Sequence, residues 1–220
     1  MKTYHKIQSI FKRDMANNGK IMEDKFALPE IEWLKNNEWI FTEKVDGTNI
    51  RIMWEGEEIK YGGKTDNTQL HIDLIENLHK LFDSKIELFR EMFIPLREMF
   101  IPPEGQKVAV CFYGEGYGAG IQKGGCYRED KSFVLFDIKI GNFWLNREDV
   151  EDIANKFGID IVPIVGSGTI KDMVDMVKKG FNSQWGDFLA EGIVAKPKIE
   201  LFTRRGDRLI AKIKHKDFIS

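Results

Sequence analysis

One lysine, Lys44, lies between two acids in the segment "FTEKVDGTNI", residues 41–50, shortly before a glycine. A lysine amine can attack the α-phosphorus of a nucleotide only when it is uncharged, and its ordinary pKa of about 10.4 leaves it protonated at neutral pH. Nearby cations or a bound metal would lower that pKa, because each disfavours a further positive charge. Lys44 is therefore a candidate nucleophile. Asp46 either orients this amine or fixes a tight turn, and the sequence leaves both open.

The cations that such an amine needs are present in "AKIKHK", where Lys212 and Lys214 alternate with Ala211 and Ile213. Successive side chains of a β-strand point to opposite faces, so this spacing predicts two ammonium groups on one face. They could neutralise an α-phosphate and keep Lys44 deprotonated. Taken alone, the same pattern also fits a solvated strand.

Two glutamates beside glycines are candidate ligands of a metal or a nucleotide. Glu191 in "AEGIVAKP" ends a short apolar run and precedes Lys196 by five residues, and Glu115 lies in "YGEGYGAG". Mg²⁺ is a hard cation that proteins hold through carboxylates and water, which makes Glu191 the predicted metal ligand. A glutamate followed by glycine is also typical of an ordinary turn.

Short alternating apolar runs outnumber helical patterns along the chain. The predicted strands are "EWIFTEK", "TNIRIMWE", "EIKYG", "KVAVCFYGE", "SFVLFDIKI", "DIVPIV", "FLAEGIVAKP" and "RLIAKIKH". Helical periodicity occurs at about 70–93, at 147–157 after a capping Asn146, and at 169–179, where Thr169 and Asp172 have capping-box spacing. Irregular alternation of strands and helices predicts an α+β protein with largely antiparallel sheets. No Ser/Gly-rich linker divides the chain, so we expect a single domain, 1–220.

Composition describes an ordinary globular protein of 220 residues with a net charge of −2. Residues 1–20 carry five Lys/Arg against one acid, and residues 196–216 carry eight against two. These basic segments could hold phosphates or could be solvated faces. Two cysteines without a CxxC spacing favour neither a disulfide framework nor a zinc site. The absence of a signal-like or membrane-spanning apolar run leads us to expect a cytoplasmic protein without a membrane partner. We also expect a monomer.

Taken in order, six motifs resemble those of the covalent nucleotidyltransferase superfamily of polynucleotide ligases and capping enzymes. They are "EKVDGTN", "YGGKT", "FYGEGYGAGIQKGG", "FVLFDI", "EGIVAKP" and "AKIKHK", and they span about 42–216. "GTN", "GAGIQK" and "FDI" are most similar to the type 2 RNA ligases, which seal nicks in duplex RNA. The resemblance implies the ligase adenylation-domain fold, with antiparallel sheets flanking a nucleotide pocket. Many ligases of the superfamily carry a further C-terminal domain, whereas this sequence ends six residues after Lys214. Either this is a compact ligase without a C-terminal accessory domain, as we expect, or part of the protein has been left out.

The resemblance implies an ATP-dependent RNA ligase that requires Mg²⁺ or Mn²⁺. Lys44 would attack the α-phosphorus of ATP and carry AMP, which then passes to an RNA 5′-phosphate before a 3′-hydroxyl attacks and AMP leaves. Lys212 and Lys214 would bind the α-phosphate, and Glu191 would help to place the metal.

Further roles for nucleotide-binding residues follow from the same resemblance. Glu115 would contact the ribose, Phe136 would stack on the adenine, and Asn49 would contact the reacting RNA ends. Lys64 would lie near the ribose or an RNA phosphate, although the branch often has arginine there, which binds phosphate in a different geometry. The remaining predicted nucleotide-binding residues are Glu43 and Lys196.

Three alternatives share parts of this pattern. A capping-type guanylyltransferase and a small DNA ligase use the same nucleophile chemistry, and a non-catalytic nucleic-acid-binding relative could keep the fold. The intact set of Lys44, Glu191, Lys212 and Lys214 argues against the last of these, because a protein that only binds has no need of an amine placed among cations.

Overall fold

The structure is a computed structural model that describes residues 3–99, 108–123 and 126–219. Its strands are β1 Gln8–Ser9, β2 Phe11–Asp14, β3 Lys20–Phe26, β4 Trp39–Glu43, β5 Thr48–Trp54, β6 Ile59–Gly62, β7 Val110–Tyr117, β8 Ser132–Ile140, β9 Phe143–Trp144, β10 Asp160–Ile161, β11 Ile164–Gly168, β12 Gly192–Pro197 and β13 Ala211–Lys214. Its helices are α1 Pro29–Trp33, α2 Ile72–Phe82, α3 Ile86–Met99, α4 Arg147–Phe157 and α5 Ile170–Lys179.

The chain forms two compact units, each made of more than one segment. Unit 1 contains 46–161 and the start of the chain up to Tyr4, and unit 2 contains 5–45 and the residues from 162 onwards. The single-domain organisation stays a prediction.

Unit 2 is built on a five-stranded sheet in the order β1-β13-β12-β4-β11. One face of this sheet packs on a core in which α5 buries Ile170, Met173 and Val177. Along β12, Ile193 and Ala195 point into that core and are fully buried. The residues between them therefore lie on the opposite face. The hairpin β2–β3 forms a separate two-stranded sheet.

Unit 1 is built on a sheet in the order β10-β8-β7-β5-β6, with β9 paired to the edge of β8. Its core contains residues of α2, α3 and α4 together with alternate residues of β5, β7 and β8. Aromatic rings pack closely there, for instance Phe89 against Phe157 with 4.7 Å between ring centroids. This packing buries one face of the sheet of unit 1 in an apolar core.

The predicted α+β class with largely antiparallel sheets is confirmed, since among the described strands only β1–β13 and β10–β8 pair in parallel. The predicted strands "TNIRIMWE" and "EIKYG" form the antiparallel pair β5–β6. The predicted cap of α4 at Asn146 and the capping box of α5 are both present. The helical pattern at 70–93 is interrupted by a 3-10 turn, Asp83–Lys85, between α2 and α3. Strands β1 to β3 and helix α1 were not predicted.

Within the described residues, no helix combines the length and the apolar character that a membrane span requires.

Gly47 allows the backbone of β7 to approach the segment that follows Lys44. A β-carbon at this position would lie 2.3 Å from the carbonyl oxygen of Gly116 and 2.7 Å from Cγ of Glu115. The glycine is thus required by contact within unit 1, at the point where β5 begins to pair with β7.

We predict that Gly47→Ala lowers the free energy of unfolding by about 1–3 kcal/mol, the usual cost of forcing an extra methyl group into a packed site. Denaturant unfolding of the purified variant measures this change. Gly166→Ala is the matched control, because a β-carbon there would lie at an ordinary 3.5 Å from Phe41. Equal unfolding midpoints for the two variants would contradict the prediction.

Candidate active site

Lys44 lies at the end of β4 in unit 2. Its backbone N–H donates to the carbonyl oxygen of Gly192 at 3.0 Å, which continues the β4–β12 pairing by one residue. Its Nζ donates to Oε2 of Glu191 at 2.6 Å and to the carbonyl oxygen of Val45 at 3.3 Å. The pairing of β4 with β12 therefore places the candidate nucleophile in contact with the candidate metal ligand.

Glu191 joins two lysines through its two carboxylate oxygens. Oε2 accepts from Lys44, and Oε1 lies 2.5 Å from Nζ of Lys214. The side chains of Lys44, Glu191 and Lys214 are 18%, 12% and 23% exposed, so the group is largely withdrawn from water but still reachable. The backbone of Glu191 is held as well, because its carbonyl accepts from His215 N at 2.9 Å.

Gly192 explains why a glycine follows this glutamate. A β-carbon at position 192 would lie 2.2 Å from the carbonyl oxygen of Ile213 and 2.8 Å from Cα of Lys214. The close approach of β13 to β12 brings Lys214 to the carboxylate. The glutamate-glycine pair thus has a defined role in assembling the site.

Four lysines lie on the sheet face of unit 2 that is turned away from its core. Lys212 pairs with Val194, and Lys214 pairs with Gly192. Because Ala211 and Ile213 are buried in the core, Lys212 and Lys214 point to the other side, as the alternation in the sequence predicts. Lys196 follows on the same face of β12, and Lys44 reaches that face from β4.

Ser9 is a residue of this face that sequence reasoning missed. It lies on β1 directly opposite Lys212, and its neighbour Ile10 enters the core. The Oγ of Ser9 is buried without a hydrogen-bond partner. A buried hydroxyl of this kind is costly unless something binds it. A serine in an unpredicted two-residue strand gives no sequence signal that could have identified it.

Glu43 points to the opposite side of β4. Its carboxylate is 1% exposed and accepts from Ser183 Oγ at 2.6 Å and from Gln184 N at 2.8 Å. Burial raises the pKa of the Glu43 carboxyl, and the hydrogen bonds from Gln184 and Ser183 oppose that rise. These contacts fix the loop that precedes Glu191. The assignment of Glu43 to nucleotide binding stays a prediction, which these contacts do not support.

The donor set around Glu191 fits a metal that is bound together with a phosphate ligand. Among the described residues, no group of three or more His, Cys, Asp or Glu side chains could hold a metal ion alone. Mg²⁺ is commonly held by one or two carboxylates, with water and substrate phosphates as the other ligands. Glu191 supplies one such carboxylate next to lysines that suit phosphate.

Unit 1 brings Asn49 and Glu115 together, since they are direct cross-strand partners on β5 and β7. Partners in an antiparallel pair share a face of the sheet. Oδ1 of Asn49 is buried and has no hydrogen-bond partner. An amide oxygen that is kept dry and unpaired is unfavourable by itself, so this atom is a candidate ligand contact.

Lys64 is exposed in the segment after β6, and a buried arginine holds that segment. Arg51, which is 0% exposed, donates from Nε to the carbonyl oxygen of Gly63 at 2.6 Å and from Nη2 to Oδ1 of Asp66 at 2.9 Å. The hydrogen bond from Arg51 lowers the pKa of Asp66. Sequence reasoning missed Arg51, although a charged residue inside the apolar run "TNIRIMWE" was an available signal.

Phe136 is the extra residue at an irregularity in the β7–β8 pairing. Tyr113 pairs with Asp137 and Gly114 pairs with Leu135, which leaves Phe136 without a partner across the strand. Its ring is half-buried and meets Tyr4 edge-on with 5.0 Å between centroids. Bulges of this kind often redirect a side chain beside a functional site. Stacking of Phe136 on an adenine stays a prediction.

A family model described as RNA ligase matches residues 37–214 of the chain. The fold is similar to that of an RNA ligase from Naegleria gruberi. A variant of that ligase with AMP and Mn has a TM-score of 0.66 and 16% sequence identity, over 99% of this chain and 57% of that chain. A variant with ATP and Mn has a TM-score of 0.64 and 15% identity, over 97% and 57% of the two chains.

The same ligase with PPi gives a TM-score of 0.63 at 15% identity, and the match covers 100% of this chain and 62% of that chain. The present chain thus spans about three fifths of the length of these structures. These TM-scores show a common fold, which is the ligase nucleotidyltransferase fold that the motifs predict.

Proposed function

The chain belongs to the RNA ligase family, and from this premise we propose that it is an ATP-dependent RNA ligase that joins a 5′-phosphate to a 3′-hydroxyl. The observation that carries the proposal is the Lys44–Glu191–Lys214 cluster, in which an amine, a carboxylate and a second cation meet within 2.6 Å contacts on one sheet face. The structures of the Naegleria gruberi ligase with ATP, AMP, Mn and PPi support this choice of nucleotide and metal.

Three displacements at phosphorus make up the proposed reaction. The Lys44 amine attacks the α-phosphorus of ATP, a P–N bond forms, and the P–O bond to pyrophosphate breaks. An oxygen of the RNA 5′-phosphate then attacks the same phosphorus and frees the lysine. Finally the 3′-hydroxyl attacks the 5′-phosphorus, a phosphodiester forms and AMP leaves. Because little bond chemistry is asked of side chains, the protein acts chiefly by positioning charge.

The lysines on the sheet face of unit 2 that is turned away from its core, and Glu191 beside them, each have a defined task in this proposal. Lys212 and Lys214 bind the α-phosphate, and Lys196 extends the positive surface along β12. Glu191 would hold Mg²⁺ or Mn²⁺, which supplies neutralisation of phosphate charge when bound. In unit 1, the unpaired amide oxygen of Asn49 accepts a hydrogen bond from a reacting RNA end, and Glu115 beside it contacts the ribose.

The test is the intact mass of the protein, first treated with pyrophosphate to remove any AMP already attached, and then incubated with ATP and Mg²⁺ or Mn²⁺. We expect a gain of one AMP, no gain with GTP, and no gain when a chelator removes the metal.

The protein that carries AMP is then given nicked duplex RNA and the matching nicked DNA, and we expect sealing of the RNA. A GTP-specific adduct would identify a capping-type enzyme, and failure to release pyrophosphate from any nucleoside triphosphate would identify a non-catalytic relative.

A further inference from the structure

The connection between β12 and β13 is a narrow hairpin in unit 2. Leu209 N donates to the carbonyl oxygen of Leu201 at 2.8 Å, and Thr203 N donates to that of Asp207 at 2.8 Å. The tip closes where Gly206 N donates to the Thr203 carbonyl at 2.9 Å. Two arginines occupy the central positions of this four-residue turn, and such positions point outward from a turn.

Charges along this basic segment fall into two groups. Lys198 is paired with Glu38 at 2.8 Å, and the buried Arg208 is paired with Glu200. Both of these cations serve the fold. Arg204 and Arg205 are exposed at the tip, and their guanidinium groups form no ion pair with any carboxylate in the described part of the chain. The turn also carries the exposed acid Asp207, so the two arginines are the positive charges of the hairpin that lie outside an ion pair, beside one acid.

Apolar side chains beside these arginines are left in solvent. Phe202 is 55% exposed and Ile199 is 75% exposed. The backbone of Phe202 is fixed by its bridge to Arg208, so the ring is presented from a defined position. Phe202 thus supplies an exposed stacking face two and three residues before two exposed arginines that can bind phosphates.

We propose that the hairpin 198–208 is a binding site for an unpaired RNA strand, with a base stacked on Phe202 and phosphates bound by Arg204 and Arg205. The proposal rests on the proposed function for the identity of the polymer. Aromatic stacking requires a base that is not already stacked in a helix, which favours a single strand over a duplex. The strand β12 separates Glu191 from the hairpin by about 20 Å, given roughly 3.3 Å per residue.

The test measures binding of the full chain to a short labelled single-stranded RNA without a 5′-phosphate, by fluorescence anisotropy over a series of salt concentrations. For the double variant Arg204→Gln/Arg205→Gln we expect the slope of log affinity against log salt to become shallower by about 1.4, since each single-strand phosphate contact contributes about 0.7. For Phe202→Ala we expect an affinity loss of about fivefold or more with the slope unchanged.

Matched controls come from the same unit. Lys171→Gln/Lys179→Gln removes two positive charges from α5, which covers the other face of the sheet, and Trp33→Ala removes an aromatic ring that is 86% exposed. Neither is expected to change RNA binding. The proposal is overturned if the hairpin variants bind single-stranded RNA as tightly as these controls do. It is also overturned if the hairpin changes lower the affinity for duplex RNA as much as the affinity for single-stranded RNA.

Adduct formation with ATP separates this proposal from the proposed function. We expect the hairpin variants to gain AMP at the rate of the unaltered protein, because none of the changed residues contacts Lys44 or Glu191. If the unaltered protein gains no AMP while the hairpin variants still lose RNA, the proposed function fails and the RNA site stands. If the unaltered protein gains AMP and the hairpin changes leave RNA binding unaffected, the proposed function stands and the RNA site on the hairpin fails.

Discussion

Lys44→Ala is expected to gain no AMP when it is incubated with ATP and Mg²⁺, whereas the unaltered protein gains one. The reason is that the proposed first step forms a P–N bond to this amine, and alanine has no nucleophile to offer. Intact mass spectrometry after complete reaction measures the result. The folded state should persist, because Glu191 keeps its contact with Lys214 at 2.5 Å when the Lys44 amine is removed.

Two further variants separate the nucleophile from the charge. Lys44→Arg keeps a cation that can pair with Glu191, but a guanidinium group stays protonated in proteins and is not expected to attack phosphorus. Lys198→Ala removes an exposed lysine of the same unit that pairs with Glu38, and it should gain AMP normally. Adduct in Lys44→Arg at the level of Lys198→Ala would show that another residue carries the nucleotide.

The last chemical step offers a check on Lys44→Ala that does not depend on the adduct. Joining a 3′-hydroxyl to an RNA end that already carries AMP makes no use of the Lys44 amine. We therefore expect Lys44→Ala to seal RNA that is supplied in adenylylated form. This separates loss of the nucleophile from loss of the folded site.

Local signals in the sequence were sufficient for much of the fold. The cap of α4 at Asn146 and the capping box of α5 were recognisable because they depend on residues three positions apart. The alternation of Lys212 and Lys214 with apolar neighbours placed them correctly on one face of β13 for the same reason. Patterns that a strand or a helix imposes on its own residues can be read without knowledge of what packs against it.

Features that depend on distant partners could not be predicted in this way. The edge strand β1 has two residues and exists because it pairs with β13, some 200 positions later in the chain. The buried Arg51 is tolerated because the chain returns after β6 and places the Gly63 carbonyl and Asp66 beside it. Neither partner can be recognised from the residues next to it in the sequence.

The structure places Lys44 and Lys214 near each other, as the sequence predicts, but in an arrangement that the sequence did not predict. Sequence reasoning placed Lys44 among cations and assigned Glu191 to the metal. In the structure the carboxylate lies between Lys44 and Lys214 and contacts both. The proposed attack by Lys44 on phosphorus would therefore start from an amine that Glu191 contacts, which makes the carboxylate a candidate participant in the first step as well as a candidate metal ligand.

Glu191→Gln is expected to slow formation of the AMP adduct by roughly 100-fold or more, the scale of loss when one preorganised electrostatic group is removed from an active site. Glutamine has almost the same size, but it carries no charge and only one of its two terminal atoms accepts hydrogen bonds. It can therefore serve Lys44 or Lys214 but not both, and it is a poor ligand for Mg²⁺. The measurement is the rate of mass gain over a wide range of Mg²⁺ and Mn²⁺ concentrations.

The dependence on metal concentration decides which contact of Glu191 matters more. If the carboxylate holds the metal, high Mn²⁺ should recover part of the rate in Glu191→Gln, and Glu191→Asp, which keeps the charge, should need less metal than Glu191→Gln. If it serves only to hold the two lysines, added metal should recover none of the lost rate in either variant.

Glu38→Gln is the matched control, since Glu38 is an exposed carboxylate of the same unit paired with a single lysine. A Glu191→Gln protein that gains AMP as fast as Glu38→Gln would remove Glu191 from the reaction, because the 2.6 Å contact with Lys44 would then have no consequence for the chemistry of that amine.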